Sequence, residues 1–448
     1  MRVRFERLVA RLCAARSISV SPSLRGAALY AGLFVVGFLL AYFRLPPSSS
    51  EHMWQEDGNV FLAQAMQHPF LVALFEPYAG YGHLVPRLVA ALADLFPLVH
   101  APRVIAVVMA LFLAALAAGI FFLLAAHLRT ITARILVWCL VVAAPVAGLE
   151  IALSAANAQW YLLFGAFIAV FARREGVVAT AISAAILIAA VGSSPLALVV
   201  FVPLVLIRTL ALRGRGDIVI AASAVLAGIF QLIVMLRGTR QLHALRSAWA
   251  IIKTYLVDVQ DVGWFGPLWI HQAAFMMPAL IALGVLLTLA AFWISWMLRR
   301  WSTLPLSALV VGAAYFLAIV VLSGYAYTDP DQMLFIGVGS RYFVFPIMAT
   351  SLIIGTGVDR LIAIRTRRSI ALAVVAILLT LSVIVVNYRA FDQRARFLSR
   401  WPVWSAAVEH ARATCLDDPT KSVYVIGGPQ FSPFDSFHIP CDVLEDHR

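Results

Sequence analysis

The sequence predicts an all-α polytopic membrane protein with about eleven transmembrane helices. Hydrophobic residues make up 62% of the 448-residue chain and charged residues only 12%, whereas soluble domains are about 45–50% apolar. Apolar stretches of about 17–25 residues recur, and each can cross a hydrocarbon core of about 30 Å as a helix. The alternating pattern of a transmembrane barrel is missing from the sequence, so helices are expected to satisfy the backbone in lipid.

The predicted spans divide the chain into a leader, a membrane domain and a tail. The leader, residues 1–25, is rich in arginine and lacks the cleavage site of a signal peptide. The membrane domain covers residues 26–387, and a small tail follows at 388–448. The predicted spans are residues 26–44, 104–126, 135–153, 159–172, 177–193, 195–212, 218–236, 272–297, 305–325, 342–363 and 370–387.

Basic residues predict the orientation of these spans, because short cytoplasmic loops are enriched in lysine and arginine. Arginines cluster in alternate loops if the N-terminus is cytoplasmic, and acidic residues concentrate on the opposite side. The odd number of spans then places the tail outside a plasma (inner) membrane. The net charge of +12 reflects this topology and anionic headgroups rather than a nucleic-acid partner. The inner loops hold Arg129 and Arg134, Arg173 and Arg174, Arg208, Arg213 and Arg215, Arg299 and Arg300, and Arg360, Arg365, Arg367 and Arg368.

The cysteines agree with this orientation. Cys415 and Cys441 both lie in the external tail, where an oxidising compartment favours a disulfide. Closing that loop is expected to stabilise the tail by about 3–4 kcal/mol on the chain-entropy estimate. Cys13 and Cys139 fall in the leader and in a span, where free thiols are ordinary. No cysteine or histidine spacing in the sequence indicates a metal site.

The first outer loop, residues 45–103, is long for a connection, and long loops are usually functional. Three short apolar stretches in it, 58–66, 71–75 and 85–95, predict amphipathic helices lying at the membrane surface. Arg87 and Asp94 are expected on the wetter side of the third helix. A tail helix over 397–413 and a strand over 422–428 are also predicted.

Two roles compete for the adjacent carboxylates Glu56 and Asp57, which open this loop. Asp57 precedes an apolar helical run and suits an N-cap, and Glu56 suits the positive end of the helix dipole. Alternatively, one of the two acts as a general base at the outer surface. Adjacent helical residues point about 100° apart, so only one can face a given substrate atom. Asp57 is the first choice.

Arg341 stands in the late outer segment just before the tenth span. A guanidinium there is either an interfacial anchor or a phosphate ligand, and arginine is well shaped for bidentate contact with phosphate. Among polar residues near the outer surface, Glu150 with Asn157 nearby is either a substrate contact or a structural hydrogen-bonding group, and His83 is a candidate donor to phosphate or sugar.

Together these features resemble the GT-C superfamily of integral-membrane glycosyltransferases, which use polyprenyl-phosphate sugars. The resemblance rests on the topology, on Glu56 and Asp57 in a long first outer loop with amphipathic helices, and on "SRYFVFP" before a proline-containing span, where Tyr342 follows Arg341. It implies that Asp57 or Glu56 is the catalytic base and that Tyr342 contacts substrate.

The resemblance also implies a sugar donor on a lipid phosphate, which needs no nucleotide site. Partners would be that donor, a glycan, lipid or protein acceptor of the cell envelope, and membrane lipids, with no nucleic acid. Arg341 is the first choice for the leaving phosphate, and Lys253, Arg246 and Arg87 are further candidates. The transfer would invert the anomeric centre. No cofactor is expected, and the sequence leaves a divalent cation open.

Two other functions fit the same composition. A transporter or flippase for lipid-linked saccharides would show internal repeats and ionisable residues midway through its spans. Here those residues concentrate in outer loops, which favours chemistry at the surface. A polymerase or ligase of lipid-linked saccharides would be expected to have a large late outer loop, whereas the large loop here is the first.

Overall fold

The computed structural model describes residues 24–44, 46–144, 153–171, 176–238, 248–323, 340–388, 403–417, 422–425 and 437–446. Almost all of these residues are helical. The helices that coincide with the predicted spans are α1 (Leu24–Phe43), α5 (Ala101–Leu124), α6 (Ile131–Val142), α7 (Ala158–Phe171), α8 (Val177–Ser193), α9 (Pro195–Leu212), α10 (Arg215–Arg237), α14 (Met277–Leu298), α15 (Leu304–Ser323), α16 (Val344–Ile364) and α17 (Arg367–Tyr388).

Within the described ranges, seven helices are long and apolar enough to cross a membrane, namely α1, α5, α9, α10, α14, α16 and α17. Helices α6, α7 and α8 and the stretch Leu304–Ala318 are apolar but shorter. The protein is therefore a polytopic helical membrane protein.

Short helices form the segments between the spans. In the first outer loop the structure has a 3₁₀ turn (Pro47–Glu51), a π-helix (Asp57–Leu62) that continues into α2 (Ala63–Gln67), α3 (Phe70–Leu74), α4 (Leu84–Ala93) and a 3₁₀ turn (Leu98–His100). The segment before α14 contains α11 (Ala248–Thr254), a second π-helix (Tyr255–Asp261), α12 (Val262–Phe265), α13 (Pro267–Gln272) and a 3₁₀ turn (Ala274–Met276). A 3₁₀ turn, Ser340–Phe343, leads into α16.

Helix α7 lies at the centre of the molecule. Every side chain from Ala158 to Phe171 is buried, and the helix packs against α5, α8, α9 and α16. Phe167 and Phe345 join α7 to α16, with ring centroids 6.0 Å apart. A helix that is apolar all round is expected at such a buried position, and the turn before its first residue is consequently a fixed point for the site described below.

Polar contacts join helix ends into two separate groups. In one, Arg208 donates to the Asp217 carboxylate at 2.9 Å, and Asp359 accepts from the Thr130 N–H at 2.7 Å. These residues lie at or beside segments predicted to be cytoplasmic. In the other, the Val85 N–H donates to Ser193 at 3.0 Å. Among these contacts, residues predicted inside meet inside residues, and residues predicted outside meet outside residues.

The tail packs on the first outer loop. It contains α18 (Trp404–Asp417), β1 (Ser422–Val425), β2 (Phe437–Pro440) and α19 (Cys441–Asp446), and the two strands pair antiparallel. Trp404 donates its indole N–H to the Leu98 carbonyl at 2.8 Å. Cys415 and Cys441 form a disulfide with Cα atoms 5.4 Å apart. The predicted tail helix and strand correspond to α18 and β1, and residues 397–402 and 426–428 of those predictions lie outside the described residues. Strand β2 and helix α19 were not predicted.

Candidate functional site

The acidic pair lies in a helix that begins two residues before Asp57. Gln55 and Glu56 are already helical, and the helix widens to a π-helix over Asp57–Leu62. Single π turns inside α-helices occur often at functional sites. A Cβ atom at position 58 would lie 2.6 Å from Met53 Cγ, so a larger residue there must displace the Met53 side chain. The predicted N-cap role of Asp57 for this helix is therefore wrong, since the residue stands inside it.

Asp57 instead binds the turn that leads into the buried helix α7. Its Oδ2 accepts from the Ala155 N–H at 3.0 Å and its Oδ1 from the Ala156 N–H at 2.7 Å. Asp57 is 2% exposed. The carboxylate thus holds the turn before a distant helix rather than capping its own. The Ser154 side chain is a third hydrogen-bond partner of this carboxylate, so one lone pair of its two oxygens is still open to accept a proton.

The environment of Asp57 raises the pKa of its carboxyl to about 7. Burial is the largest cause, because a low dielectric disfavours the charged form. The bond from the Ala156 N–H acts in the opposite direction, the charge of Glu56 raises the pKa further, and bonds from Ala155 and Ser154 lower it. A carboxyl that titrates near neutrality suits a general base.

Glu56 faces away from this turn and pairs with Arg341. Arg341 Nη1 lies 3.3 Å from Glu56 Oε1, although 285 positions separate the two residues. The side chains are 19% and 14% exposed, respectively. The guanidinium also lies over the Tyr342 ring, 5.2 Å from its centroid. The segments predicted to be the first and the late outer loops therefore meet beside Asp57.

Tyr342 and Asn157 connect Arg341 to the turn that holds Asp57. The Tyr342 ring meets the Trp160 ring edge to face, with centroids 5.0 Å apart. The Trp160 indole N–H donates to Asn157 Oδ1 at 3.0 Å, and Asn157 Nδ2 donates to Ser154 Oγ at 3.2 Å. Tyr342 and Asn157 are thus both at the site, and the Asn157 amide supports the turn from within.

His83 lies close by but is a poor donor to a substrate. Its ring is buried and stacks on Tyr81, with centroids 4.2 Å apart. Burial lowers the pKa of His83 to about 3, so the ring is neutral. Nδ1 is 3.2 Å from the Tyr81 carbonyl oxygen, which can only accept, so Nδ1 carries the hydrogen and Nε2 is left as an acceptor. A structural role fits His83 better than the predicted one.

Arg87 is buried, which corrects the expectation that it lies on the wetter side of its helix. It is 3% exposed and donates through Nη2 to Gln64 Oε1 at 2.8 Å and to the Glu76 carbonyl at 2.6 Å. Burial lowers the pKa of Arg87 to about 10, so it stays charged at neutral pH. Its contacts lie within the first outer loop, whereas Arg341 contacts Glu56 and Tyr342.

Lys253 belongs to a second buried acidic cluster. Burial raises the pKa of Asp258 to about 8, while the charge of Lys253 lowers it and that of Asp261 raises it. The pKa of Asp261 is raised to about 7 by burial. Tyr255 of the same π-helix reaches Phe316, and Phe316 reaches Phe343, with centroid distances of 5.3 and 6.2 Å. The cluster therefore flanks the segment that carries Arg341.

Some predicted site residues are not described by the structure, and some groups at the site were not predicted from the sequence. Arg246 and Glu150 lie outside the described residues. Over the part of the chain that the structure describes, no three histidine, cysteine, aspartate or glutamate side chains are grouped to hold a metal ion. Sequence reasoning missed the Ala155 and Ala156 N–H groups, which carry no residue-type signal, and Trp160, whose type suggests only a membrane anchor.

No protein-family model matches the chain, and no curated protein sequence is significantly similar to it. The site combines a carboxyl with a pKa of about 7, a guanidinium paired with the neighbouring Glu56, and aromatic side chains between the two.

Proposed function

We propose that the protein is a membrane glycosyltransferase that moves a sugar from a polyprenyl-phosphate donor to a glycan, lipid or protein acceptor at the outer face. Asp57 is the general base and Arg341 binds the leaving phosphate. The observation that carries this proposal is the meeting of Glu56 and Arg341 across 285 positions, beside an Asp57 whose pKa is about 7.

The reaction is a single displacement. Asp57 takes the proton of the acceptor hydroxyl while the oxygen of that hydroxyl attacks the anomeric carbon. The bond from that carbon to the phosphate oxygen breaks, and polyprenyl phosphate leaves with the bonding electrons. Arg341 stabilises the charge that develops on the phosphate, and one displacement inverts the anomeric centre. Glu56 pairs with Arg341 at 3.3 Å, and on donor binding this contact would be replaced by one between Arg341 and the donor phosphate.

A GT-C-like architecture with eleven spans and a cytoplasmic N-terminus is part of the same proposal. Two observations support it. A helix overlaps each of the eleven predicted spans, and the contacts between helix ends keep predicted inside and outside residues apart. Short spans such as α7 (Ala158–Phe171) are compatible with crossing because they are enclosed by other helices rather than by lipid.

Transport, and polymerisation or ligation, of lipid-linked saccharides remain the competing functions. A flippase moves its substrate without breaking a covalent bond, whereas the proposed enzyme releases polyprenyl phosphate. A polymerase or ligase moves a whole glycan, whereas the proposed enzyme moves one sugar. The products therefore discriminate between the three functions.

The direct test uses purified protein in lipid nanodiscs with radiolabelled polyprenyl-phosphate hexoses and pentoses and a cell-envelope extract as acceptor. We expect release of polyprenyl phosphate with transfer of a single labelled sugar by the wild-type protein and strong loss in Asp57→Asn. Gln67→Ala, an exposed first-loop change away from the acidic pair, is the matched control. Undiminished transfer in an Asp57→Asn, Glu56→Gln double variant would refute this mechanism.

A further inference from the structure

A cavity of about 470 Å³ opens in the first outer loop between α2, α3 and α4. Its walls are mostly apolar, and three side chains that can form polar contacts also line it. This size and composition are typical of ligand sites. The lining includes Phe61, Phe70, Leu74, Leu92 and Leu95 on the apolar side and Arg87, His68 and Asp94 on the polar side.

Arg87 brings unused hydrogen-bond donors to this cavity. Nη2 is occupied by Gln64 and the Glu76 carbonyl, but buried Nε and Nη1 have no hydrogen-bond partner among the residues that the structure describes. A buried donor without an acceptor costs free energy, and such a group calls for an explanation. A ligand with acceptor oxygens would supply the missing partners.

The charges around the cavity favour a neutral polar ligand over an anion. Arg87 is balanced by the Asp94 carboxylate in the same wall and by Glu76, whose Oε2 lies 3.7 Å from His68 Nε2. The cavity thus presents both donors and acceptors, beside the aromatic rings of Phe61 and Phe70. Sugars have this combination, with hydroxyl groups at their edges and C–H groups on their faces.

The cavity adjoins both the catalytic carboxylate and the apolar surface of the loop. Phe61, which lines it, packs in one buried cluster with Ala156, and the Ala156 N–H binds Asp57. On the other side, Leu71 of α3 and Leu95, just beyond α4, are exposed apolar side chains. Apolar faces of short surface helices suit the membrane interface, so a ligand here can keep a lipid tail in the bilayer.

We infer that this cavity binds the saccharide head of a lipid-anchored acceptor, with its hydroxyl groups on Arg87 and Asp94 and its tail along α3 and α4. This inference depends on the proposed function only for the role of the bound saccharide as the acceptor of the transfer. It assigns the acceptor to the Phe61 side of Asp57 and leaves the side of Arg341 to the donor. Arg87 is thereby a ligand for sugar and not for the donor phosphate.

Protection of a thiol in the cavity tests this inference without any need for turnover. Ala91, which lines the cavity, is changed to cysteine in a Cys13→Ser, Cys139→Ser background, and the protein is placed in nanodiscs. Modification by a methanethiosulfonate reagent is timed alone and with decyl β-glucoside, decanol or decyl phosphate below micelle-forming concentrations. We expect decyl β-glucoside to slow modification several-fold and the other two to have little effect.

Two comparisons keep the result specific. Glu409→Cys, in α18 and away from the cavity with a side chain 70% exposed, should react at one rate under all conditions. Arg87→Met should remove the protection by the glucoside. If Arg87→Met does not fold, Asp94→Asn should weaken the protection. Equal protection by decanol, stronger protection by decyl phosphate, or no protection by any probe would overturn the inference.

The result of the thiol-protection test can be distinguished from the result of the transfer test of the proposed function. Protection by the glucoside in a protein that shows no transfer would leave a saccharide–lipid site and remove the transferase mechanism. Transfer with no protection at Ala91→Cys would keep the mechanism and remove this acceptor site.

Discussion

Asp57 holds two backbone N–H groups, and this geometry determines what its replacement should do. In Asp57→Asn the amide oxygen can accept one bond, but the NH₂ group then faces the other N–H. We expect a stability loss of about 1–3 kcal/mol and a fall in transfer of about 10²- to 10⁴-fold. Glu56→Gln should cost less transfer because Glu56 faces Arg341. Thermal unfolding and turnover are measured on the same preparations.

A matched control separates the two losses in Asp57→Asn. Ser154→Ala weakens the same turn, where Ser154 hydrogen-bonds Asp57, but keeps the carboxyl. It should lose stability and keep most of its turnover at a pH well above 7. Larger losses in Glu56→Gln than in Asp57→Asn would move the base to Glu56. Equal loss of turnover in Ser154→Ala would show that the turn, and not the base, limits the reaction.

The pH dependence of transfer should follow Asp57. Only the deprotonated carboxyl accepts a proton, so kcat/KM should rise through a pH of about 7 and then level. Glu56→Gln removes a charge that raises the pKa and should move the rise to lower pH. Ser154→Ala removes a bond that lowers the pKa and should move it to higher pH. Unshifted profiles in both variants would place the titrating base elsewhere.

The titration of Asp57 affects stability in the opposite direction to activity. The pKa of Asp57 is raised on folding, so its proton stabilises the folded protein at acid pH, and this contribution is lost as pH rises through about 7. The contribution of Asp57 to stability therefore falls over the range in which activity should rise. Unfolding temperatures across the same pH series provide the comparison.

Arg341 should govern binding of the donor phosphate. Arg341→Ala removes a charge-assisted contact and should weaken polyprenyl-phosphate binding by about ten- to a hundredfold, with a smaller effect for Arg341→Lys, which keeps the charge but not the bidentate shape. Glu56→Gln should strengthen binding, because it removes the carboxylate 3.3 Å from the guanidinium. Titration with polyprenyl phosphate measures all three, and unchanged affinity in Arg341→Ala would make Arg341 an interfacial anchor.

The sequence predicts the identity of these residues better than their partners. Glu56, Asp57 and Arg341 stand out because charges are rare in so apolar a chain. Their contacts are not readable, since Asp57 binds backbone groups and Glu56 binds a residue 285 positions away. Arg87 was placed wrongly because helical spacing does not show that Gln64 and the Glu76 carbonyl cover its guanidinium.

At the scale of the elements, the apolar stretches predict the helices well and the π-helices not at all. A helix overlaps each predicted span because length and apolarity are sufficient to indicate one, although the third, Ile131–Val142, starts before its predicted span of 135–153. The widened turns Asp57–Leu62 and Tyr255–Asp261 depend on packing that a periodic pattern does not encode. Both place buried acidic residues in segments predicted to be outside.

Close packing of the second π-helix against α14 gives a test at this scale. A Cβ atom on Gly284 would lie 2.4 Å from the Leu256 carbonyl oxygen, so Gly284→Ala must displace the backbone of Tyr255–Asp261. We expect a loss of about 1–3 kcal/mol. Gly357→Ala in α16 meets nothing within 4 Å and should be neutral or gain up to about 1 kcal/mol in helix propensity. Thermal unfolding in detergent compares them, and equal transitions would contradict the packing.

For the whole molecule, the arginine pattern and the helix contacts address the topology independently. The arginine pattern assigns each loop to the inside or the outside by its charge. The contacts show which loops lie close together, for example Asp359 with Thr130 in one group and Glu56 with Arg341 in the other. The docking of the tail on the first loop, through Trp404 and Leu98, was beyond the sequence because it joins residues about 300 positions apart.

Two engineered cysteines on opposite sides of α17 test the orientation that the mechanism requires. Glu409 in the tail has a side chain 70% exposed, and Arg367 at the start of α17 is also exposed. In a Cys13→Ser, Cys139→Ser background, Glu409→Cys should react with an impermeant maleimide in intact cells. Arg367→Cys should react only after the membrane is opened, because basic loops stay in the cytoplasm. The reverse pattern would place Asp57 and Arg341 on the cytoplasmic side and remove the proposed outer-face reaction. Labelling of both in intact cells would mean that α17 does not cross the membrane, and the eleven-span topology would then be wrong.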